Sequence, residues 1–291
     1  MSDAAINDPP LPGRALSVVT TCRARDLPVL EIAAQKLGEW VSLKSLHVIA
    51  PARDCGRISD RLGRRATVIS EDGFIPGMSL ADLRELNRPH FPQAAGWYFQ
   101  QFLKLQFAFQ DPGDDYYLIW DADTVPLRPL EFFDQQGRML LTRATEHHPP
   151  YFATYQRLLG ESPNREFSLI AQHMVVQKSV ARELLAQIQQ RTDDGQNWAW
   201  AIMENLLPQG DNLFSEYETY GHYLKNHYPD RVRFIERPWL REGTEYTRGW
   251  IPSPQDLRQL AQKYDYVAFE RASQNWFQFG KARLKRFLKS G

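Results

Sequence analysis

At 291 residues the chain is long enough for one large α/β domain or two small ones and for a substantial core. With 43% hydrophobic and 12% aromatic residues it is globular, and its 35 basic and 35 acidic side chains cancel, which removes any global argument for a nucleic-acid partner. Cys22 and Cys55 are the only cysteines and have neither metal spacing nor the pattern of a disulfide framework, so a reducing, cytoplasmic setting is expected.

Residues 1–14 read as a disordered leader, with acids and prolines where a secretory signal would carry positive charge and an apolar run. No stretch of about 18 apolar residues follows anywhere, so no membrane span is expected. Residues 15–22 form a first strand, 23–28 turn into a helix reaching Leu37, and 45–51 and 66–70 are the next strands. Strands alternating with helices predict parallel βαβ units, whose ligands sit at the carboxyl ends of the strands. Thr20, Thr21, Arg23 and Arg25 fall on that edge. No Gly-x-Gly-x-x-Gly or Walker sequence follows the first strand, so neither dinucleotide binding nor P-loop chemistry is supported.

Residues 71–95 read as a long loop carrying Gly73, Pro76, Gly77, Pro89 and Pro92. Residues 97–109 read as a helix burying Phe99, Phe102, Leu103 and Phe107, with Gln100 and Lys104 on one polar flank, either solvated or aimed at a ligand. Next comes the stretch Tyr116-Tyr117-Leu118-Ile119-Trp120-Asp121-Ala122-Asp123-Thr124-Val125, a buried strand running out onto two acids. Burying an unpaired charge is costly, so such a pair is expected at a strand tip facing a ligand or metal. Mg²⁺ or Mn²⁺ held by one or two carboxylates takes its other ligands from water and substrate phosphates, so the pair implies a phosphate-bearing substrate.

This strand-Asp-Ala-Asp-Thr-Val arrangement resembles the Asp-x-Asp signature of nucleotide-sugar-dependent glycosyltransferases of the GT-A fold. Residues 96–105 and 214–221 resemble flanking stretches of a bacterial glycosyltransferase-like family long labelled as of unknown function. The resemblance spans roughly residues 15–240. It implies a Rossmann-like, mostly parallel sheet flanked by helices, a nucleotide-sugar donor and a Mn²⁺ or Mg²⁺ cofactor. Asp121, Asp123, Thr20, Thr21, Arg23 and Lys104 would then contact the donor. Asp-x-Asp-x-(Thr/Val) also fits the first motif of haloacid-dehalogenase-type phosphatases, with Asp121 as nucleophile and Asp123 as general acid. Against this second reading, the motif follows a long α/β region, Asp193 and Asp194 follow a helical pattern instead of a strand, and Pro126 and Pro129 interrupt the path after Val125.

After the acids, residues 132–137 read as a turn and 138–143 as a strand; His147 and His148, adjacent in an extended segment, point apart and do not share a metal. Residues 168–176 resemble the strand lining the acceptor side of these enzymes, with Gln172 or His173 as sugar contacts or His173 as a structural histidine, leading into a helix over 179–189. Trp198 and Trp200 lie in a helical segment, 197–207, and read as core or as sugar-stacking groups. A further helix is expected over 213–228, carrying Ser215, Glu216, Glu218 and His222. Metal-bound carboxylates are poor bases, so an inverting transfer needs a separate one. Glu216 is the first choice and Glu218 the second; alternatively Glu218 orients His222, four residues on, as a further metal or diphosphate ligand.

Residues 231–235 and 264–269 read as short strands, with 237–250 as a flap whose arginines could neutralise a departing diphosphate. From Lys281 to Gly291 there are five basic residues and no acid, beside Trp276, Phe277, Phe279 and Phe287. On a helix these would form an interfacial anchor on an anionic membrane surface, or dock on the domain with a solvated basic face. The expected organisation is a leader (1–14), a catalytic domain (15–240) and a flap with a C-terminal helical extension (241–291). The expected function is metal-dependent transfer of a sugar to a cell-envelope polysaccharide, lipopolysaccharide or glycolipid, in the cytoplasm or at the inner face of the membrane. A non-catalytic sugar- or lipid-binding relative is the remaining alternative.

Overall fold

The computed structural model describes residues 13–86, 91–110, 114–163, 165–191, 196–208, 210 and 212–270. The first part alternates as expected: β1 (Leu16–Thr21), α1 (Leu27–Trp40), β2 (Leu43–Ala50), α2 (Ala52–Leu62) and β3 (Thr67–Ser70). Then come α3 (Leu80–Glu85), α4 (Phe91–Gln106), β4 (Tyr116–Trp120), β5 (Thr124–Pro126) and β6 (Met139–Thr142). The chain continues with α5 (Pro149–Leu159), β7 (His173–Gln177), α6 (Lys178–Gln189), α7 (Trp198–Asn205) and α8 (Glu216–His227). It closes with β8 (Val232–Ile235), β9 (Trp239–Leu240), α9 (Pro254–Leu260) and β10 (Tyr266–Ala268).

The fold is mixed α/β, with a mostly parallel five-stranded sheet in the order β3-β2-β1-β4-β7. β1 pairs in parallel with β2 and β4, and β2 with β3, so the carboxyl ends of these strands share one edge. Residues Leu16 to Thr20 of β1 and Tyr117 to Trp120 of β4 are all buried, because helices cover both faces of the sheet. That is why these strands read as continuous apolar runs, not as alternating ones.

β7 is the exception in direction. It runs antiparallel to β4, pairing His173 with Trp120 and Gln177 with Tyr116, so its amino end arrives at the edge where β4 ends. The strand expected over 168–176 is accordingly shorter, 173–177; the segment before it turns through Gln172, whose φ of 64° is left-handed. A glutamine there is uncommon and is held by its surroundings. His173 is not a sugar contact: it is buried, its ring stacks on Trp120 at 5.3 Å, and burial pushes its pKa down to about 3. Trp198 is likewise core, with its indole N–H donating to Gln106.

Other boundaries also differ. The long loop over 71–95 contains α3, which opens on Ser79 and Asp82 in a reciprocal capping box, and α4 starts at Phe91. The same device, Ser253 with Asp256 and Pro254 at the first turn, starts α9, and α5 opens on Pro149 and Pro150. α8 begins at Glu216 and not at 213, because the Ser215 hydroxyl accepts from the Glu218 amide at 3.3 Å. Residues 271–291, with the expected basic anchor, and residues 1–12 of the leader lie outside the described residues. Among the described residues no helix is long and apolar enough to cross a membrane.

A three-stranded sheet, β5-β10-β9, backs the turn after β4: Ala268 pairs with Thr124, and the Phe269 amide donates to the Asp123 carbonyl at 2.8 Å. Gly243 packs against it so closely that an added Cβ would stand 2.3 Å from Val267 Cγ1 and 2.6 Å from the Ala268 carbonyl oxygen. A backbone oxygen cannot step aside as a side-chain tip can. Gly243→Ala is therefore expected to cost about 1–3 kcal/mol of stability by overpacking, read as a lower urea midpoint; an unchanged midpoint would refute this account of the turn's support.

Candidate active site

The Asp-x-Asp turn is fixed by its backbone. The Asp121 amide donates to the Gln172 carbonyl at 2.9 Å, the Thr124 amide returns to the Asp121 carbonyl at 3.0 Å, and the Trp120 indole donates to the Thr124 carbonyl at 2.7 Å. Together with the Phe269 bond to Asp123, these hold both carboxylates at the carboxyl edge of the sheet.

Lys104, in the last turn of α4, is the centre of the site. It is 3% exposed, its ammonium donates to Asp121 and, at 2.9 Å, to Glu216, and it lies 5.2 Å from the centre of the Tyr217 ring. Burial disfavours the ammonium, but the Asp121 and Glu216 carboxylates outweigh that and hold its pKa above the ordinary lysine value. The Tyr217 hydroxyl donates to the same Asp121 oxygen at 3.0 Å, the Glu216 amide donates to the Gln101 side chain at 3.0 Å, and the Tyr117 hydroxyl donates to the Lys104 carbonyl at 3.0 Å. Thus α4, β4 and the amino terminus of α8 meet in one buried ionic network. Glu216 is 4% exposed; burial raises its pKa and Lys104 restrains the rise.

Asp123 differs from Asp121. It is half-buried, makes no ion pair among the described residues, and takes one long 3.4 Å hydrogen bond from the Thr124 hydroxyl. Burial first, then the Asp121 and Glu270 carboxylates, push its pKa up to about 7. Lys104 opposes that rise only in part, and whereas Asp121 and Glu270 are ion-paired to Lys104 and Arg241, Asp123 is not; a carboxylate so placed fits a divalent cation held by one or two carboxylates, the remaining ligands coming from a phosphate and water. Among the described residues no three His, Cys, Asp or Glu side chains converge to hold a metal.

The expected third ligand, His222, is therefore corrected. Its side chain is fully buried, between the rings of Phe152 and Tyr155, with its Nε2 3.0 Å from Glu218. Glu218 is not a base for an acceptor either: at 1% exposure it accepts from the Ser168 hydroxyl at 2.6 Å and the Leu169 amide at 3.2 Å. Both serve packing of α8 inside the domain. Thr20 is 1% exposed with its hydroxyl sealed from solvent, so its side chain is not available to a ligand.

Thr21 and Arg23 are half-buried. They line a cleft of about 260 Å³ at the carboxyl ends of β1 and β2, with Glu71, Trp97, Gln100 and Leu103 among its walls. The Arg23 guanidinium lies against the backbone of α4 where Gly96 has no side chain. Arg25 joins the lining from a mostly exposed position beside Asp26. Gly96, Glu71 and Gln101 were missed by reading the sequence: nothing local marks a glycine as the floor under an arginine more than 70 residues away.

Residues 15–246 match the family of unknown function DUF6492, and the chain belongs to that family. No curated protein matches it. Among solved structures it is similar to the galactosyltransferase LgtC in complex with donor and acceptor sugar analogs, at 11% identity and a TM-score of 0.47 over 94% of this chain and 96% of that one. It is also similar to mouse xyloside xylosyltransferase 1 in its apo form, at 12% identity and a TM-score of 0.45 over 87% of this chain and 97% of that one.

Removing the Lys104 charge leaves two carboxylates in the network without their partner. Lys104→Met is expected to destabilise the fold by about 3–5 kcal/mol, measured by chemical denaturation. The double variant Lys104→Met/Glu216→Gln should recover part of the loss, and strictly additive losses would show that the two residues are not coupled.

Proposed function

We propose that this member of the DUF6492 family is a metal-dependent glycosyltransferase that moves a sugar from a nucleotide-sugar donor to a glycan or glycolipid acceptor of the cell envelope. The observation that carries the reading is a cleft at the carboxyl edge of a parallel sheet, holding Arg23, on the same sheet edge as a strand-tip carboxylate, Asp123, that makes no ion pair among the described residues.

The cleft takes the nucleotide, with Thr21, Arg23 and Gln100 as its polar contacts. Mn²⁺ or Mg²⁺ would be held by Asp123, with Asp121 beside it, and would supply Lewis-acid stabilisation of the charge that builds on the leaving nucleoside diphosphate. Lys104 and Tyr217 fix the rotamer of Asp121 and keep the strand tip from rearranging as charge moves. Glu216, whose pKa is raised by burial, is the carboxylate that takes the acceptor's proton in an inverting transfer.

The test is thermal unfolding with Mn²⁺ against UDP, GDP, CDP, ADP and CMP, on the native protein and on Asp123→Asn. A ligand at about 100 times its dissociation constant adds ~2.7 kcal/mol, a shift of several degrees. One nucleotide should give a metal-dependent shift that the variant loses; no shift with any of them would sink the proposal. The cation competes with a proton at Asp123, whose folded pKa of about 7 lies above its ordinary 3.8. Without metal, this group therefore costs stability as pH rises from about 4 to 7, and a cation relieves that cost. The Mn²⁺-dependent shift should be larger at about pH 8 than at about pH 6, and the reverse order would contradict the assignment of Asp123.

Gly96→Ala probes the cleft itself. Its Cβ would lie 2.3 Å from the Arg23 Nη2, so the guanidinium must swing away, which costs the fold little because only the tip of a flexible side chain moves. Nucleotide affinity is expected to fall about tenfold, as for loss of a hydrogen bond to a charged group, with the unfolding midpoint nearly unchanged. Undiminished affinity would remove Arg23 from the donor site.

A further inference from the structure

Glu71 is the acid of the cleft that the fold does not use. It immediately follows β3, and its amide donates to the Ala50 carbonyl at 2.8 Å, which extends the β2–β3 ladder and fixes the residue at the carboxyl edge of the sheet. The residue is half-buried and lines the cleft together with Arg23, Arg25, Trp97 and Phe99. Its carboxylate makes no hydrogen bond or ion pair among the described residues, whereas Asp26, in the same lining, pairs with Arg25 at 3.4 Å. Burial raises its pKa, and Arg23, the strongest of the opposing charges, restrains the rise without pairing. A partly buried acceptor facing a cleft is satisfied by donors that a ligand brings.

A carboxylate only accepts, through two oxygens set side by side, and is best matched by two adjacent N–H donors. Among the common nucleobases guanine alone has such an edge, its ring N1–H beside its N2 amino group. Adenine and cytosine set their amino group beside a ring nitrogen that accepts, and uracil sets its N3–H between two carbonyls. Each of these therefore turns a lone pair toward the second carboxylate oxygen. The other edge of guanine, O6 with N7, accepts hydrogen bonds and suits a guanidinium, and this cleft holds two, Arg23 and Arg25. Trp97 and Phe99 add ring surface for a flat base.

Resting on the proposed nucleotide-sugar donor, we propose that Glu71 is the residue that selects the base and that the base is guanine, so the donor is a sugar linked to guanosine diphosphate. Glu71 accepts from N1–H and the N2 amino group at the β3 side of the cleft. The diphosphate then extends along the same sheet edge toward β4 and Asp123.

The probes are GDP, UDP, CDP, ADP and xanthosine diphosphate, each titrated calorimetrically with Mn²⁺ into the native protein and into Glu71→Gln. The native protein should bind GDP about tenfold or more tighter than the other four. Glu71→Gln keeps the size of the side chain and replaces one acceptor by a donor, so it should lose about 10- to 100-fold in GDP affinity. The same variant should bind xanthosine diphosphate more tightly than the native protein does, because xanthine carries a carbonyl where guanine has its N2 amino group and that carbonyl accepts from the new amide. A purely structural role for Glu71 does not produce this exchange of ligands. Preference of the native protein for UDP, CDP or ADP, or a variant whose preference between GDP and xanthosine diphosphate does not move, overturns the inference and leaves the donor reading intact. Absence of binding by every nucleotide instead overturns the donor reading, and the inference with it.

Discussion

A single buried ammonium organises this molecule. Lys104 sits almost wholly out of water on α4, where an unpaired charge would be prohibitive, and is stable there because β4 contributes Asp121 and α8 contributes Glu216. The requirement runs in both directions, since neither carboxylate tolerates that environment without the cation. Three elements distant in sequence are thereby tied at one point, and that point lies at the end of the strand where the candidate chemistry is. Such a network specifies geometry more than it adds stability, because the Coulombic gain is largely spent on desolvation.

The backbone around the network has the same purpose. β7 enters antiparallel beside β4, and the chain can do so only by turning at Gln172 in a left-handed conformation whose carbonyl then receives the Asp121 amide. Strain of this kind persists where surrounding structure over-determines it, and here the β4–β7 ladder on one side and the small β5-β10-β9 sheet on the other do so. Asp121 and Asp123 are therefore presented by a rigid frame, although they follow the strand instead of lying within it.

Much of this was legible in the sequence, for identifiable reasons. β1, β2 and β4 announced themselves as apolar runs because both faces of the sheet are covered, and their alternation with helices gave the parallel order. Asp121 and Asp123 were legible because two acids after Leu118-Ile119-Trp120 conflict with burial unless they face something. Lys104 was ambiguous: a lysine on a helix flank is usually solvated, and only the distant Glu216 decides otherwise. The spacing of Glu218 and His222 correctly put them on one helical face, but periodicity does not say whether that face looks at a ligand or into the core, and here it is core. Helices α3 and α9 carried visible capping boxes, Ser79 with Asp82 and Ser253 with Asp256, hidden among the prolines and glycines that suggested loop.

The two acids of the motif, one residue apart, are not chemically equivalent. Asp121 has its charge answered by Lys104 and its oxygen shared with Tyr217, so it is a fixed part of the frame. Asp123 makes no ion pair among the described residues, feels Lys104 only at longer range and stands near two further carboxylates, Asp121 and Glu270, so its charge is the less balanced of the two. The same reasoning separates the two glutamates of α8. Glu216 is answered by a lysine shared with the strand tip and so responds to what happens there, whereas Glu218 is enclosed with Ser168 and His222 and is insulated from it. Asp121 and Asp123 are half-buried and Glu216 and Glu218 fully buried, yet it is the charge each one faces, more than its burial, that tells them apart.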